Sequence, residues 1–139
     1  MNSMASANDK LQAVTAFWES FGIPAYEENS IRGIDEYYDE QGNRHKLDYP
    51  YITFEMRYGT LDNPVQLTAD VWYRNTSQEQ ISQKVEQIER AIGEGNVIEY
   101  NGGALFITKG NPFAQLMGDD ADDSVQRAYI MLNAEYLQS

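Results

Sequence analysis

VQRAYIMLNAEY, residues 125–136, fits two periods, and the choice between them decides the fold. Read as a strand, it places Ala128, Ile130, Leu132 and Ala134 on one face. Read as a helix, it aligns Val125, Ala128, Tyr129, Leu132 and Tyr136. The strand is preferred, because the rest of the chain supplies two hairpins, and a sheet built from them gains a further strand.

The first hairpin is the clearest local signal. Residues 51–58 alternate Ile52, Phe54, Met56 and Tyr58 against Thr53, Glu55 and Arg57. Residues 65–73 alternate Val65, Leu67, Ala69, Val71 and Tyr73 against Gln66, Thr68, Asp70 and Trp72. GTLDNP (59–64) has turn composition, so the two runs should pair antiparallel. The second hairpin is NVIEY (96–100) and ALFITK (104–109) around NGG, where Asn and Gly accept positive φ.

Two segments carry the helical period instead. Leu11, Val14, Phe17, Trp18 and Phe21 form one stripe, with Asn8 or Ser6 as cap and Gly22 and Pro24 as the stop. Ile81, Val85, Ile88 and Ile92 form another, opened by Ser77 and Gln80 as a capping box and closed by Gly93. Residues 27–48 are polar, with DEQGNR (39–44) at the tip of a long hairpin or loop. No repeat or linker divides residues 1–139, so a single domain is expected. The expected class is α+β: an antiparallel β-sheet with two α-helices packed on one face.

Composition removes several functions. The chain has 139 residues, 42% hydrophobic, and a formal net charge of −12. Ten Lys and Arg are scattered and form no basic patch, which argues against gripping nucleic acid through phosphate. With no cysteine there is no disulfide, thiolate ligand or cysteine nucleophile. MNSMASANDK lacks the basic and apolar regions of a secretory signal, and no apolar run reaches the roughly 20 residues of a membrane span. A cytosolic-type protein with no membrane partner is expected.

No catalytic constellation emerges. His45, the single histidine, sits in polar GNRHKLD and reads as a surface residue. Walker, G-x-G-x-x-G and G-x-S-x-G motifs are absent from the sequence. A calcium loop beginning at Asp119 would need Gly sixth and Glu twelfth, where the chain has Ser124 and Ile130. Asp119, Asp120, Asp122 and Asp123 therefore read as a solvated acidic loop. Neither enzymatic activity nor a cofactor or metal is expected.

Contact surface is the remaining theme. Trp72 falls on the polar face of its strand, which requires either a helix or loop over it or a subunit interface. Phe113, Leu116 and Met117 lie in NPFAQLMG (111–118), a segment that Pro112 and Gly118 should keep from forming a regular element. The candidate interface is therefore Trp72, Phe113, Leu116 and Met117, rimmed by the four aspartates.

The succession FGIPAYEE (21–28), YPYITFEM (49–56), LTADVWYRNTS (67–77) and an Ile-striped helix, followed by GGALFITKGNPFAQLM (102–117), DDADD (119–123) and QRAYIMLNAEY (126–136), resembles a family of small phage proteins. These are the tail-terminator and minor-tail-protein group of long-tailed bacteriophages and prophages, similar in kind to minor tail protein U. Head-tail connector and tail-completion proteins are close neighbours in size and composition. The resemblance implies a homo-oligomeric ring, typically a hexamer, that caps the tail tube and presents a surface to the head. Its partners would be the tail-tube protein and the head-tail connector protein. DNA would pass through without specific binding, past acidic walls that repel phosphate. The setting would be the virion tail or neck, and the host cytoplasm during assembly. The alternative from the residues alone is a small ligand-binding or hydrolytic α+β domain.

Overall fold

The computed structural model describes residues 7–32, 36–59, 63–74, 77–118 and 124–138. Helix α1 spans Ala7–Glu19, and β1 covers Ala25–Glu27. After a 3-10 turn come β2 (Ile31–Arg32), β3 (Glu36–Tyr38) and β4 (Arg44–Lys46). Then follow β5 (Tyr51–Phe54), β6 (Val65–Arg74), α2 (Gln78–Ile92) and β7 (Asn96–Tyr100). The chain closes with two long strands, β8 (Gly103–Gly118) and β9 (Val125–Gln138).

The segment 125–136 is a strand, and it is central. The main sheet runs β1-β5-β6-β9-β8-β7, so β9 lies between β6 and β8. Its odd and even residues separate as the alternation requires: Ala128, Ile130, Leu132 and Ala134 are buried to 2% exposure or less. The first hairpin pairs antiparallel as expected, from Tyr51 opposite Trp72 to Phe54 opposite Ala69. Its first strand ends at Phe54, and Tyr58 stands half exposed beyond it. The NGG hairpin also forms, with Tyr100 opposite Gly103 and Gly102 at φ 92. DEQGNR turns a real hairpin between β3 and β4, where the Gly42 amide donates to the Asp39 carbonyl at 3.0 Å.

The α+β expectation of an antiparallel sheet with two helices layered on one face is overturned. Strands make up 51% of the described residues, and the six-stranded sheet is mixed and curled into a half-barrel. It is mixed because β1 runs parallel to β5, with Ala25 opposite Ile52. It is strand-rich because residues 103–138 are almost wholly one hairpin, in place of a short hairpin, an apolar loop and a short strand. Curling follows from helix placement: α1 touches both end strands, β1 and β7, while α2 packs on β6, β8 and β9. Helices that reach such separated strands fill a trough; they do not form a flat second layer.

A single core occupies that trough. Val14, Trp18 and Phe21 enter it from α1 and its exit, and Ile81, Ile88 and Ile92 from α2. The strands contribute Ile52, Phe54, Leu67, Val71, Leu105, Ile107, Ile130 and Leu132. The Lys84 ammonium ties the helices together by donating to the Phe21 carbonyl at 2.6 Å. At the α2 termini, Gly93 at φ 54 donates to the Glu89 carbonyl at 2.9 Å. Ser77 takes the N-cap position, but its hydroxyl makes no capping bond, so the expected capping box does not form. Asn8 lies inside α1 and not before it, while Ser6 falls outside the described residues.

Candidate assembly surface

The convex face of the sheet carries two cross-strand rows. One runs Tyr51, Trp72, Arg127, Met117, and the next Thr53, Asp70, Tyr129, Gln115. Directly opposed residues on neighbouring strands have their Cβ atoms in contact range, so each row acts as one surface.

Trp72 is held by this lattice. Its Nε1–H donates to Thr53 Oγ1 at 2.9 Å. Its ring stacks on Tyr51 at 6.2 Å between centroids, and the Arg127 guanidinium carbon lies 5.4 Å from its ring centroid. Among the described residues the contacts to Trp72 come from strand neighbours. Arg127 also faces Asp70, with Nε 2.9 Å from Oδ1. Both atoms are buried, and their approach is poorly aligned for a hydrogen bond, so the contact is better described as an ion pair. Burial raises the Asp70 pKa, the Arg127 charge opposes that rise, and Glu28 adds to it.

The remaining candidates separate. Between Lys109 and Ala114 the β8–β9 register shifts, so that four residues of β8 are set against Met131 alone. The shift moves β8 from one parity to the other: Leu105 and Ile107 face the trough before it, Ala114 and Leu116 after it. NPFAQLMG is therefore part of a regular strand, contrary to expectation, and Pro112 sits where the ladder is interrupted. Phe113 lies in the bulge, half-buried and packed against the core, which removes it from the exposed surface. Leu116 and Met117 are 46% and 37% exposed, on opposite faces of β8. Among the described members of the predicted group, only Trp72 and Met117 share a row. Asp119, Asp120, Asp122 and Asp123 lie outside the described residues.

Beyond the bulge β8 is an edge. β7 covers only residues 103–107 of it, so Ala114–Gly118 pair with β9 on one side and, among the described residues, with no strand on the other. A groove of about 240 Å³ opens at this end, lined by Leu116, Met117, Val125 and Arg127 and by Gln78 and Ile81 of α2. Among the described residues no group of three acidic or imidazole side chains is arranged to hold a metal ion.

Other polar groups serve local structure. His45 stacks on Tyr37 at 4.9 Å and meets Asp39 Oδ2 through Nε2 at 2.8 Å. That bond, with the Asn43 and Gln41 amides, lowers the Asp39 pKa to about 2. Sequence reasoning missed Arg127 and Tyr51 as partners of Trp72. The signal was present in the alternation, since pairing 125–136 against 65–74 puts Arg127 opposite Trp72.

No family model and no curated protein matches the chain.

Proposed function

We propose that this chain is a structural protein of a long-tailed phage or prophage that caps the tail tube and joins it to the head. It works by assembling into a closed ring, hexameric in the resembling family, and not by catalysis. The observation that carries the reading is the exposed, uncharged end of β8. Leu116 and Met117 stand open on a strand edge of a protein with net charge −12. Long apolar edges are hazardous in a free protein and are expected where another chain covers them. The resemblance of FGIPAYEE, LTADVWYRNTS and GGALFITKGNPFAQLM to tail terminators supplies the particular partner, the tail-tube protein. The acidic charge suits a channel that DNA crosses without binding.

The test mixes the chain with tail-tube protein of its own phage and images the products by negative-stain electron microscopy. The expected result is a ring at one tube end and tubes of restricted length. Tubes that lengthen unchanged, with no ring at their ends, would refute the reading. Rings that join connector protein and ignore the tube would instead place the chain among the head-tail connectors.

A further inference from the structure

We infer that in the free protein the edge of β8, Ala114–Gly118, pairs antiparallel with the same edge of a second copy, about a two-fold axis at Leu116. This concerns the protein before any assembly, and it stands whether or not the chain caps a tail tube.

Three observations converge. The backbone groups on the outer side of Ala114–Gly118 have no strand partner among the described residues, and such a row is a template for another strand. Natural edges are ordinarily protected by charge, yet Gly110–Gly118 contains no charged residue, in a chain that is 23% charged. Third, Leu116 and Met117 are exposed beside the groove that Gln78 and Ile81 line, so an added strand has apolar side chains to meet on both of its faces.

These features select the occupant. Arg127, the charged side chain lining the groove among the described residues, is already engaged by Asp70, so a segment bearing charge would find no free counter-charge here and would lose hydration against Leu116 or Met117. The occupant must be an uncharged, partly apolar extended segment, and a second copy presents one already in strand conformation. Antiparallel pairing of a strand with itself is self-complementary, with Leu116 facing its counterpart and Ala114 facing Gly118. A two-fold contact of this kind also closes on itself, whereas a head-to-tail contact propagates. It hides the apolar edge without growth, although each copy carries net charge −12. Five residues a side make a contact well below the about 800 Å² per partner of a standard interface. The pairing is therefore a weak one, populated only as protein concentration is raised.

The absence of cysteine permits a direct test. Directly opposed residues of an antiparallel pair have Cα atoms about 4.5–5.5 Å apart, within reach of a disulfide. Leu116→Cys, in the full chain without any other phage protein, should form a covalent dimer under mild oxidation. Tyr38→Cys, 52% exposed on β3, serves as the control for random collision. Sedimentation of the unmodified chain should show the 15.9 kDa species giving way to its dimer as concentration rises through the micromolar range. Leu116→Lys should weaken the dimer at least tenfold while its thermal melt stays in place, because the side chain it replaces is already exposed. Monomer throughout the series, or a Leu116→Cys dimer forming no faster than the Tyr38→Cys control, would overturn the inference. So would Lys-sensitive species larger than a dimer, since they would show head-to-tail use of this edge. Ring capping of tubes is measured only with tube protein present, so either proposal can fail without the other.

Discussion

Tyr136 shows how far a single side chain can tie the fold to pH. It is buried at 4% exposure, donates its hydroxyl to the Arg57 carbonyl at 2.5 Å, and stacks on Tyr58. Burial, with smaller contributions from Tyr58 and Tyr100, pushes its pKa far above the ordinary value of 10.0. An acid whose folded pKa is raised keeps its proton in the folded state while the unfolded chain loses it. Stability is therefore unaffected below pH 10 and falls as pH climbs from there toward the folded value. Tyr136→Phe should flatten that alkaline fall, measured as the midpoint of urea unfolding between about pH 9 and 11. It should also lower stability at pH 7 by about 1 kcal/mol through the lost hydrogen bond. Asp70 and Arg127 make the complementary case. Arg127→Ala leaves the Asp70 carboxyl desolvated without its cation, and should cost about 1–2 kcal/mol at pH 7, the pair being partly exposed. Because Asp70 already has a raised pKa, its charge costs stability above the unfolded carboxylate value near 4. The difference between variant and parent should shrink as pH falls toward that value. A difference that stays constant with pH would mean the pair contributes through packing alone.

At the scale of the element, β8 carries the lesson. Its two halves differ in facing, partners and exposure, and the bulge between them is the cause. Gly110 is buried there, and a Cβ on it would lie 2.8 Å from the Met131 carbonyl oxygen and 2.9 Å from Met131 Cβ. Gly110→Ala should therefore cost about 1–3 kcal/mol, because the atoms in the way include backbone. Phe113→Asp should destabilise the monomer by about 2 kcal/mol, since the ring packs on the core. Leu116→Asp, by contrast, should shift stability by no more than about 0.5 kcal/mol. Thermal melts of the three variants in dilute solution check the order. A stable Phe113→Asp would return that ring to the contact surface. In sequence Phe113 groups with Leu116 and Met117 because Pro112 and Gly118 make NPFAQLMG read as one irregular apolar segment. Residues absorbed into a bulge leave no mark in a period-two pattern, and Pro112 and Gly118 read as breakers when judged locally. The hairpin at 51–74 was legible for the opposite reason: its alternation is uninterrupted and its turn composition unambiguous.

For the whole molecule, net charge sets how copies meet. With −12 on each chain, mutual repulsion opposes any ring at low ionic strength and relaxes as salt screens it. The proposed ring assembly with tail-tube protein should therefore strengthen from about 10 mM to several hundred mM salt, as the Debye length falls from roughly 30 Å to a few Å. Light scattering at high protein concentration follows it. Assembly that weakens steadily with salt would indicate attraction between opposite charges, and the acidic surface would then be a recognition element.

By itself the sequence determined the local elements. Two helical stripes and the hairpins at 51–74 and 96–109 rest on periodicity and turn chemistry, which act between near neighbours, whereas 125–136 fits two periods and reads as a strand only through the sheet it can join. It also determined the charge and the lack of thiol chemistry. Only the tertiary structure decided that β9 is central, that β1 joins β5 in parallel, and that the sheet curls around α1 and α2. Only it decided that Arg127 clasps Trp72 and Asp70, and that Phe113 turns inward while Leu116 and Met117 stay exposed. Each of these depends on which strands meet and in what register. Those choices are made by burying apolar area across residues far apart in the chain, for which a local pattern carries no signal.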